Sequence, residues 1–115
     1  MNSMSGYGEI KIGEEQFKFK FGLNAFQMFC EHRKISLGQI GEALSETMAL
    51  IELSYFAHVT ETRMRGKEPY CGLVAFVEAV NEDDTMAILH QVNDIMTTSK
   101  FLGKTVEEWA GDKKK

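Results

Sequence analysis

Residues 16–21 read QFKFKF and place a phenylalanine at every second position. Strict alternation of apolar and polar residues is typical of a β-strand with one buried face, so Phe17, Phe19 and Phe21 are expected to share that face. Even a complete two-stranded hairpin is only marginally stable in water. The three rings therefore require an apolar partner, supplied by the rest of this chain or by another chain.

A second alternating run precedes this strand at residues 9–12, which read EIKI. Residues 13–15 (GEE) lie between the two runs and have the length and composition of a hairpin loop. The sequence therefore predicts an antiparallel β-hairpin over residues 8–21. Lys18 and Lys20 fall on the face opposite the phenylalanines, and lysines at a sheet edge usually discourage unwanted pairing.

After Gly22 the apolar period changes to that of an α-helix, with Leu23, Phe26, Phe29 and Cys30 on one stripe. Similar stripes continue down the chain. The predicted helices cover approximately residues 24–34, 37–45, 46–65, 70–80 and 84–100, with a short helix at 106–110. We therefore expect an α+β fold that is mainly α: an N-terminal β-hairpin followed by a bundle of about four to five helices.

Local signals predict several helix ends. Capping-box spacing occurs at positions 24/27, 36/39 and 105/108. Gly66 fits the position just after the helix at 46–65, where a left-handed residue commonly ends a helix. The acidic residues 82–84 favour the start of the next helix, because negative charge is stabilising there.

A chain of 115 residues is expected to form one domain, here residues 7–110. Residues 1–6 are expected to be disordered and residues 111–115 (GDKKK) to form a flexible basic tail. No apolar run approaches the roughly 18 residues needed to cross a bilayer, and the first residues lack the features of a signal peptide. We therefore expect a cytoplasmic protein without a membrane partner.

The formal net charge of −4, with both signs mixed along the chain, argues against a nucleic acid partner, which usually requires a basic face. Cys30 and Cys71 are the only cysteines, and neither they nor the histidines show metal-binding spacing. Buried reduced thiols and surface or capping histidines are the simpler interpretation. We expect no catalytic residue, no metal and no cofactor, and keep a small enzyme that uses Cys30 or Cys71 as an alternative.

The predicted helix at 70–80 carries Glu78 as its only charge. A surface helix normally carries more charge, so this helix is expected to be well buried or part of an interface. Its inner stripe is predicted to be Leu73, Phe76, Val77 and Val80.

The order of elements resembles the tail assembly chaperones of long-tailed, siphovirus-like bacteriophages and prophages. Those are small acidic proteins with a strand pair of pattern G-x-I-x-I … F-x-F, then a phenylalanine-rich helix, a short helix and a largely helical remainder. The matching segments here are GEIKI (8–12), FKFKFG (17–22) and FQMFCE (26–31). The likeness covers most of the chain as a pattern and is most specific in residues 1–45.

The resemblance implies a non-enzymatic protein that binds the tape measure protein, a long helical protein prone to aggregation. It would keep that client soluble and help to recruit tail tube subunits. The resemblance also implies location in the bacterial host cytoplasm and absence from the mature virion. Because many such chaperones are made in two lengths by a programmed frameshift, the codons of residues 113–115 are a candidate slippery run. A nucleotide sequence without an A-rich heptamer would exclude it.

Client binding of this kind would be helix-in-groove recognition, with the lysines or the acidic turns steering the encounter. The predicted protein-binding residues are Phe17, Lys18, Phe19, Lys20, Phe21, Phe26, Phe29, Leu73, Phe76 and Val77. Homo-oligomer formation, through a hairpin edge or through the helix at 70–80, is also expected to be possible. The alternative functions are another small tail completion or head–tail connector protein, or a bacterial regulatory adaptor. A tape measure gene immediately downstream would favour the chaperone.

Overall fold

The computed structural model describes residues 6–98, and the backbone of residues 100–101 and 104–105. This part begins with an antiparallel hairpin and continues with five α-helices, so the α+β, mainly α prediction is confirmed. The elements are β1 (Tyr7–Ile12), β2 (Glu15–Lys20), α1 (Leu23–Arg33), a 3₁₀ turn (Leu37–Gln39), α2 (Ile40–Ala43), α3 (Thr47–Met64), α4 (Leu73–Glu82), α5 (Thr85–Met96), β3 (Lys100–Phe101) and β4 (Lys104–Thr105). The last two strands pair with each other.

The hairpin register puts the apolar side chains of both strands on one face. Gly8 lies opposite Phe19, and Ile10 lies opposite Phe17. The pairing continues to the last residue of β1 and the first of β2, so the loop is residues 13–14, one residue shorter than predicted. Side chains alternate between the faces of a strand, which leaves the polar residues of the hairpin on the opposite side.

Three helices cover the buried face of the hairpin. The Phe17 ring lies 5.4 Å, centroid to centroid, from the Phe76 ring of α4. The Phe19 ring lies 6.1 Å from the His58 ring of α3. The third helix, α5, packs on β1 near Gly8. The phenylalanines of the hairpin therefore find their apolar partner within this chain.

Helices α1 and α3 are joined by charged side chains around Arg33. Its Nε donates a hydrogen bond to Glu52 Oε1 at 2.7 Å, and its Nη1 donates to Glu46 Oε1 at 2.8 Å. The guanidinium carbon also lies 5.7 Å from the centroid of the Phe29 ring. These contacts hold the C-terminal end of α1 against the first half of α3.

Several predicted helix-end signals are confirmed. Ser36 and Gln39 form a capping box, in which the Ser36 N–H donates to Gln39 Oε1 at 2.8 Å. Asp84 caps α5 with its side chain. Gly66 follows α3 with φ of 71°, a left-handed conformation that glycine adopts without strain and that commonly ends a helix.

The predicted cap of the first helix is wrong. Gly22 is the N-cap residue, its backbone is extended, and Asn24 lies inside the first turn. The chain passes from β2 to α1 almost without a connector, and the Phe26 N–H donates to the Gly22 carbonyl at 3.0 Å. The helix has therefore already begun where Asn24 was expected to cap it.

The predicted start of α4 is also wrong: the helix begins at Leu73 and not at residue 70. Gly72 is the N-cap with an extended backbone, and the main chain before it makes two hydrogen bonds to α3. The Tyr70 N–H donates to His58 Nε2 at 3.2 Å, and the Cys71 carbonyl accepts from the Tyr55 hydroxyl at 2.9 Å.

Two other helical segments are shorter than predicted. The last turn of α5 ends at Met96, where the hydroxyls of Thr97 and Thr98 donate to main-chain carbonyls of that turn, and Lys100 already belongs to β3. The segment 37–45 divides into the 3₁₀ turn and the short α2. Two glycines in this segment weaken a longer helix, each by about 1 kcal/mol relative to alanine.

Some predictions concern parts of the chain outside the described residues. They are the disorder of residues 1–5, the short helix at 106–110, the capping box at 105/108 and the basic tail. Gly6 is described and is buried, and its carbonyl accepts a hydrogen bond from the Phe21 N–H at 2.8 Å.

Gly8→Ala is expected to lower the free energy of unfolding by about 1 kcal/mol, at the low end of the cost of overfilling a packed site. A Cβ at residue 8 would lie 2.5 Å from Cδ1 of Ile95 and 2.7 Å from its Cγ1. Ile95 is only partly buried and can move aside in part. Urea unfolding measures the change. The control is Gly38→Ala, whose Cβ would have its nearest neighbour at 3.9 Å. Equal stability of the two variants would contradict the close packing of α5 on β1.

Candidate binding surface

Most of the residues predicted to bind a client lie in the core of this chain. Six phenylalanines of that set are at most 3% exposed. They are Phe17, Phe19, Phe21, Phe26, Phe29 and Phe76. Together with neighbouring apolar residues they form one core cluster. These rings therefore hold the elements in place and do not offer a surface to another chain.

The other four predicted residues are partly exposed and lie in two separate places. Lys18 and Lys20 lie on the hairpin face opposite the one that the helices cover, and burial lowers the pKa of Lys20. Leu73 and Val77 lie together on α4. The lysines and the α4 residues thus do not form one site.

The exposed side of α4 carries apolar side chains at its N-terminal end. Val74 is 78% exposed, the most exposed large apolar side chain among the described residues, and Tyr70, just before the helix, is 47% exposed. We call Leu73, Val74, Val77 and Glu78 the α4 outer surface. Sequence reasoning missed Val74 because it considered only the inner stripe, yet a helix that is apolar on all sides indicates an outward apolar face as well.

The C-terminal end of α4 is negatively charged. Glu78 and Glu82 are exposed on the helix, and Asp83 and Asp84 follow it. The Gly13 N–H donates to Asp83 Oδ2 at 2.7 Å, and the Asp84 N–H donates to Asp83 Oδ1 at 2.6 Å. These bonds lower the pKa of Asp83, so this carboxylate is ionised at neutral pH and ties the turn to the hairpin loop. The α4 outer surface is therefore apolar at its N-terminal end, and it leads at its C-terminal end from Glu78 into the acidic turn.

The underside of α4 fixes the position of this surface. Phe76 is 1% exposed and lies 5.4 Å from the Phe17 ring and 5.6 Å from the Tyr55 ring, between centroids. Tyr55 also donates its hydroxyl proton to the Cys71 carbonyl just before the helix. Because α4 is anchored to both β2 and α3, its exposed side chains are held on a rigid platform.

His58 lies fully buried between α3, β2 and the segment before α4. Its Nδ1 lies 3.0 Å from the Lys18 carbonyl, and its Nε2 accepts from the Tyr70 N–H. A carbonyl only accepts and an amide N–H only donates, so Nδ1 carries the proton and the ring is neutral. Burial, the largest cause, lowers the pKa of His58.

The prediction of a surface or capping histidine is therefore wrong for His58. The sequence held a signal: His58 follows Ile51 and Tyr55 at helical spacing, on the inner side of α3. The ring centroid lies 4.9 Å from those of Phe17 and Tyr70, so the histidine also completes the aromatic cluster beneath α4.

The cysteines offer weak nucleophiles at neutral pH. Burial raises the pKa of Cys30 and of Cys71, which keeps both thiols protonated. Within residues 6–98, no group of three or more His, Cys, Asp or Glu side chains could hold a metal ion. No helix in the described part of the chain combines the length and the apolar character that crossing a membrane requires.

Comparisons of this chain with protein families, with curated proteins and with solved structures find no match. The resemblance to tail assembly chaperones stays a prediction.

Proposed function

We propose that this chain is a non-enzymatic tail assembly chaperone that binds the tape measure protein through the α4 outer surface. It keeps that client soluble in the host cytoplasm and helps to recruit tail tube subunits, and it is absent from the mature virion. The observation that carries the proposal is Val74, an apolar side chain 78% exposed on a helix that has no basic residue. The resemblance in residues 1–45 supplies the identity of the client.

The chemistry of the α4 outer surface supports a helical client. An amphipathic helix could lay its apolar stripe along Leu73, Val74 and Val77, as in helix-in-groove recognition. Basic residues beyond that stripe would face Glu78 and the acidic turn, which gives complementary charge and a defined direction of binding. Because α4 is already anchored from below, little ordering of the chaperone is needed on binding, and that favours affinity.

The first test is co-expression with the long helical protein encoded next to this chain, followed by affinity pull-down. The proposal expects a complex, and a client that is mostly insoluble when it is produced alone. A client that is equally soluble alone and does not bind would contradict the chaperone. Co-purification of this chain with assembled particles would instead identify a tail completion or head–tail connector protein.

Val74→Asp is expected to weaken client binding about tenfold or more, as for loss of a central apolar contact at an interface. Aspartate suits the N-terminal turn of a helix, so α4 should remain folded. Met86→Asp is the matched control, because Met86 occupies the same position in the first turn of α5 and is 63% exposed. Isothermal titration calorimetry compares the two affinities. Equal loss of affinity in both variants would contradict binding through the α4 outer surface.

A further inference from the structure

The outer edge of β1 points its main-chain groups away from the hairpin. The Phe21 N–H donates to the Gly6 carbonyl, which makes this pair a hydrogen-bonded pair of the antiparallel ladder. Such pairs alternate along a ladder with pairs that do not exchange hydrogen bonds. Tyr7, Glu9 and Lys11 therefore direct their N–H and C=O groups outward.

The equivalent edge of β2 is covered, whereas that of β1 is open in the described part of the chain. The Lys18 carbonyl on the β2 edge accepts from His58 Nδ1, and α3 packs along that strand. Tyr7, Glu9 and Lys11 are exposed. No hydrogen bond from another described residue reaches the outward main-chain groups of Glu9 or Lys11. An open edge of this kind is a template for strand addition.

The sequence of β1 is complementary to itself in one antiparallel register. Outward residues must pair with outward residues, so the twofold axis must pass midway between the two copies of one residue. An axis at Glu9 opposes two glutamates, and an axis at Lys11 opposes two lysines. An axis at Ile10 opposes Glu9 with Lys11 of the second copy and does so twice. Opposite charges placed directly across a ladder are stabilising, and like charges are destabilising.

We propose that a second copy of this chain binds the outer edge of β1 in the register centred on Ile10, which joins two hairpins into one four-stranded sheet. Each Glu9–Lys11 pair exchanges both of its main-chain hydrogen bonds across the axis. The charge of Lys11 disfavours pairing of this edge with other strands. In the register centred on Ile10, Glu9 of the second copy neutralises that charge. The interface uses no residue of the α4 outer surface, so the dimer and client binding are independent.

Sedimentation equilibrium over a range of concentrations tests the proposal. The wild type is expected to show a concentration-dependent dimer. Lys11→Glu and Glu9→Lys, each alone, should raise the dissociation constant about tenfold or more, since both place like charges across the axis. An equimolar mixture of the two variants should dimerise again, because each heterodimer pair then joins a glutamate with a lysine.

Matched controls carry the same charge changes away from β1. Lys67→Glu and Glu68→Lys both alter exposed residues and should leave the dissociation constant unchanged. Hydrogen exchange should slow at the amides of Glu9 and Lys11 as the concentration rises. A wild type that stays monomeric would overturn the proposal. Steric overlap between the two copies of α5, which packs on β1, would produce that result. A dimer that both single variants retain would overturn it as well.

Discussion

Phe19→Ala should lower the free energy of unfolding by about 3–5 kcal/mol, the usual cost of removing a buried phenylalanine ring. Phe19 is 0% exposed and stands in the middle of the three hairpin phenylalanines. Its ring lies between that of Phe17 on β2 and that of Phe21 just after β2, and it contacts the rings of His58 on α3 and Phe76 on α4. The cavity left by its removal is bounded by three different elements. Because one side-chain movement cannot close such a cavity, we expect a value in the upper part of this range.

Urea unfolding followed by far-ultraviolet circular dichroism measures this loss. Leu23→Ala is the control, because Leu23 lies a few residues along the chain and is 50% exposed. It is expected to cost less than about 1 kcal/mol, as surface substitutions usually do. If Phe19→Ala cost no more than this control, the hairpin could not be an integral part of the core, and its face would be free for another molecule.

The hairpin and the helices could be predicted because each has a strong local period. The alternation around Phe19 needs no tertiary information, and its burial follows from the need to cover three rings. The Ser36 capping box and the Gly66 helix end are likewise local signals, and both are confirmed. Asn24 failed as a cap because Gly22 begins the helix directly at the end of the strand, a geometry that cap spacing alone does not contain.

The candidate surface depends on contacts that are distant in sequence, and these could not be predicted. Two hydrogen bonds join the segment before α4 to α3: the Tyr70 N–H donates to His58, and the Cys71 carbonyl accepts from Tyr55. Periodicity predicted that Phe76 and Val80 lie on the inner side of α4, and both are buried. It could not show that Leu73 and Val77, predicted on the same stripe, remain partly exposed. Once Phe76 is placed under Phe17, Val74 must face solvent. The same contacts explain why the phenylalanines that suggested a binding face are structural.

His58→Phe is expected to lower the free energy of unfolding at neutral pH by about 1–3 kcal/mol, the cost of leaving a buried polar group without its partner. Phenylalanine keeps an aromatic ring at this site but has no hydrogen-bonding nitrogen. The Lys18 carbonyl loses its donor and the Tyr70 N–H loses its acceptor, so two of the hydrogen bonds that hold β2 and the segment before α4 against α3 are lost.

The same substitution should remove part of the pH dependence of stability. Burial lowers the pKa of His58 in the folded state below the model-peptide value of 6.5. Above that value the ring is neutral in both states. As the pH falls below it, the unfolded chain binds a proton that the folded chain does not, so the wild type loses stability on acidification. Protonation would also put a donor at Nε2 against the Tyr70 N–H. Asp83 contributes to the pH dependence of stability only at lower pH, because its hydrogen bonds lower its pKa from the ordinary value of 3.8.

Urea unfolding from about pH 8 to about pH 5 separates these effects, since the fall in stability should be clearly smaller in His58→Phe than in the wild type. His90→Gln, which alters an exposed histidine of α5, is the control and should keep the wild-type fall. If His58→Phe and the wild type lost equal stability over this range, His58 would not be held neutral by its two hydrogen bonds. The position of α4 would then depend on its aromatic contacts and on the hydrogen bonds at Cys71 and Asp83.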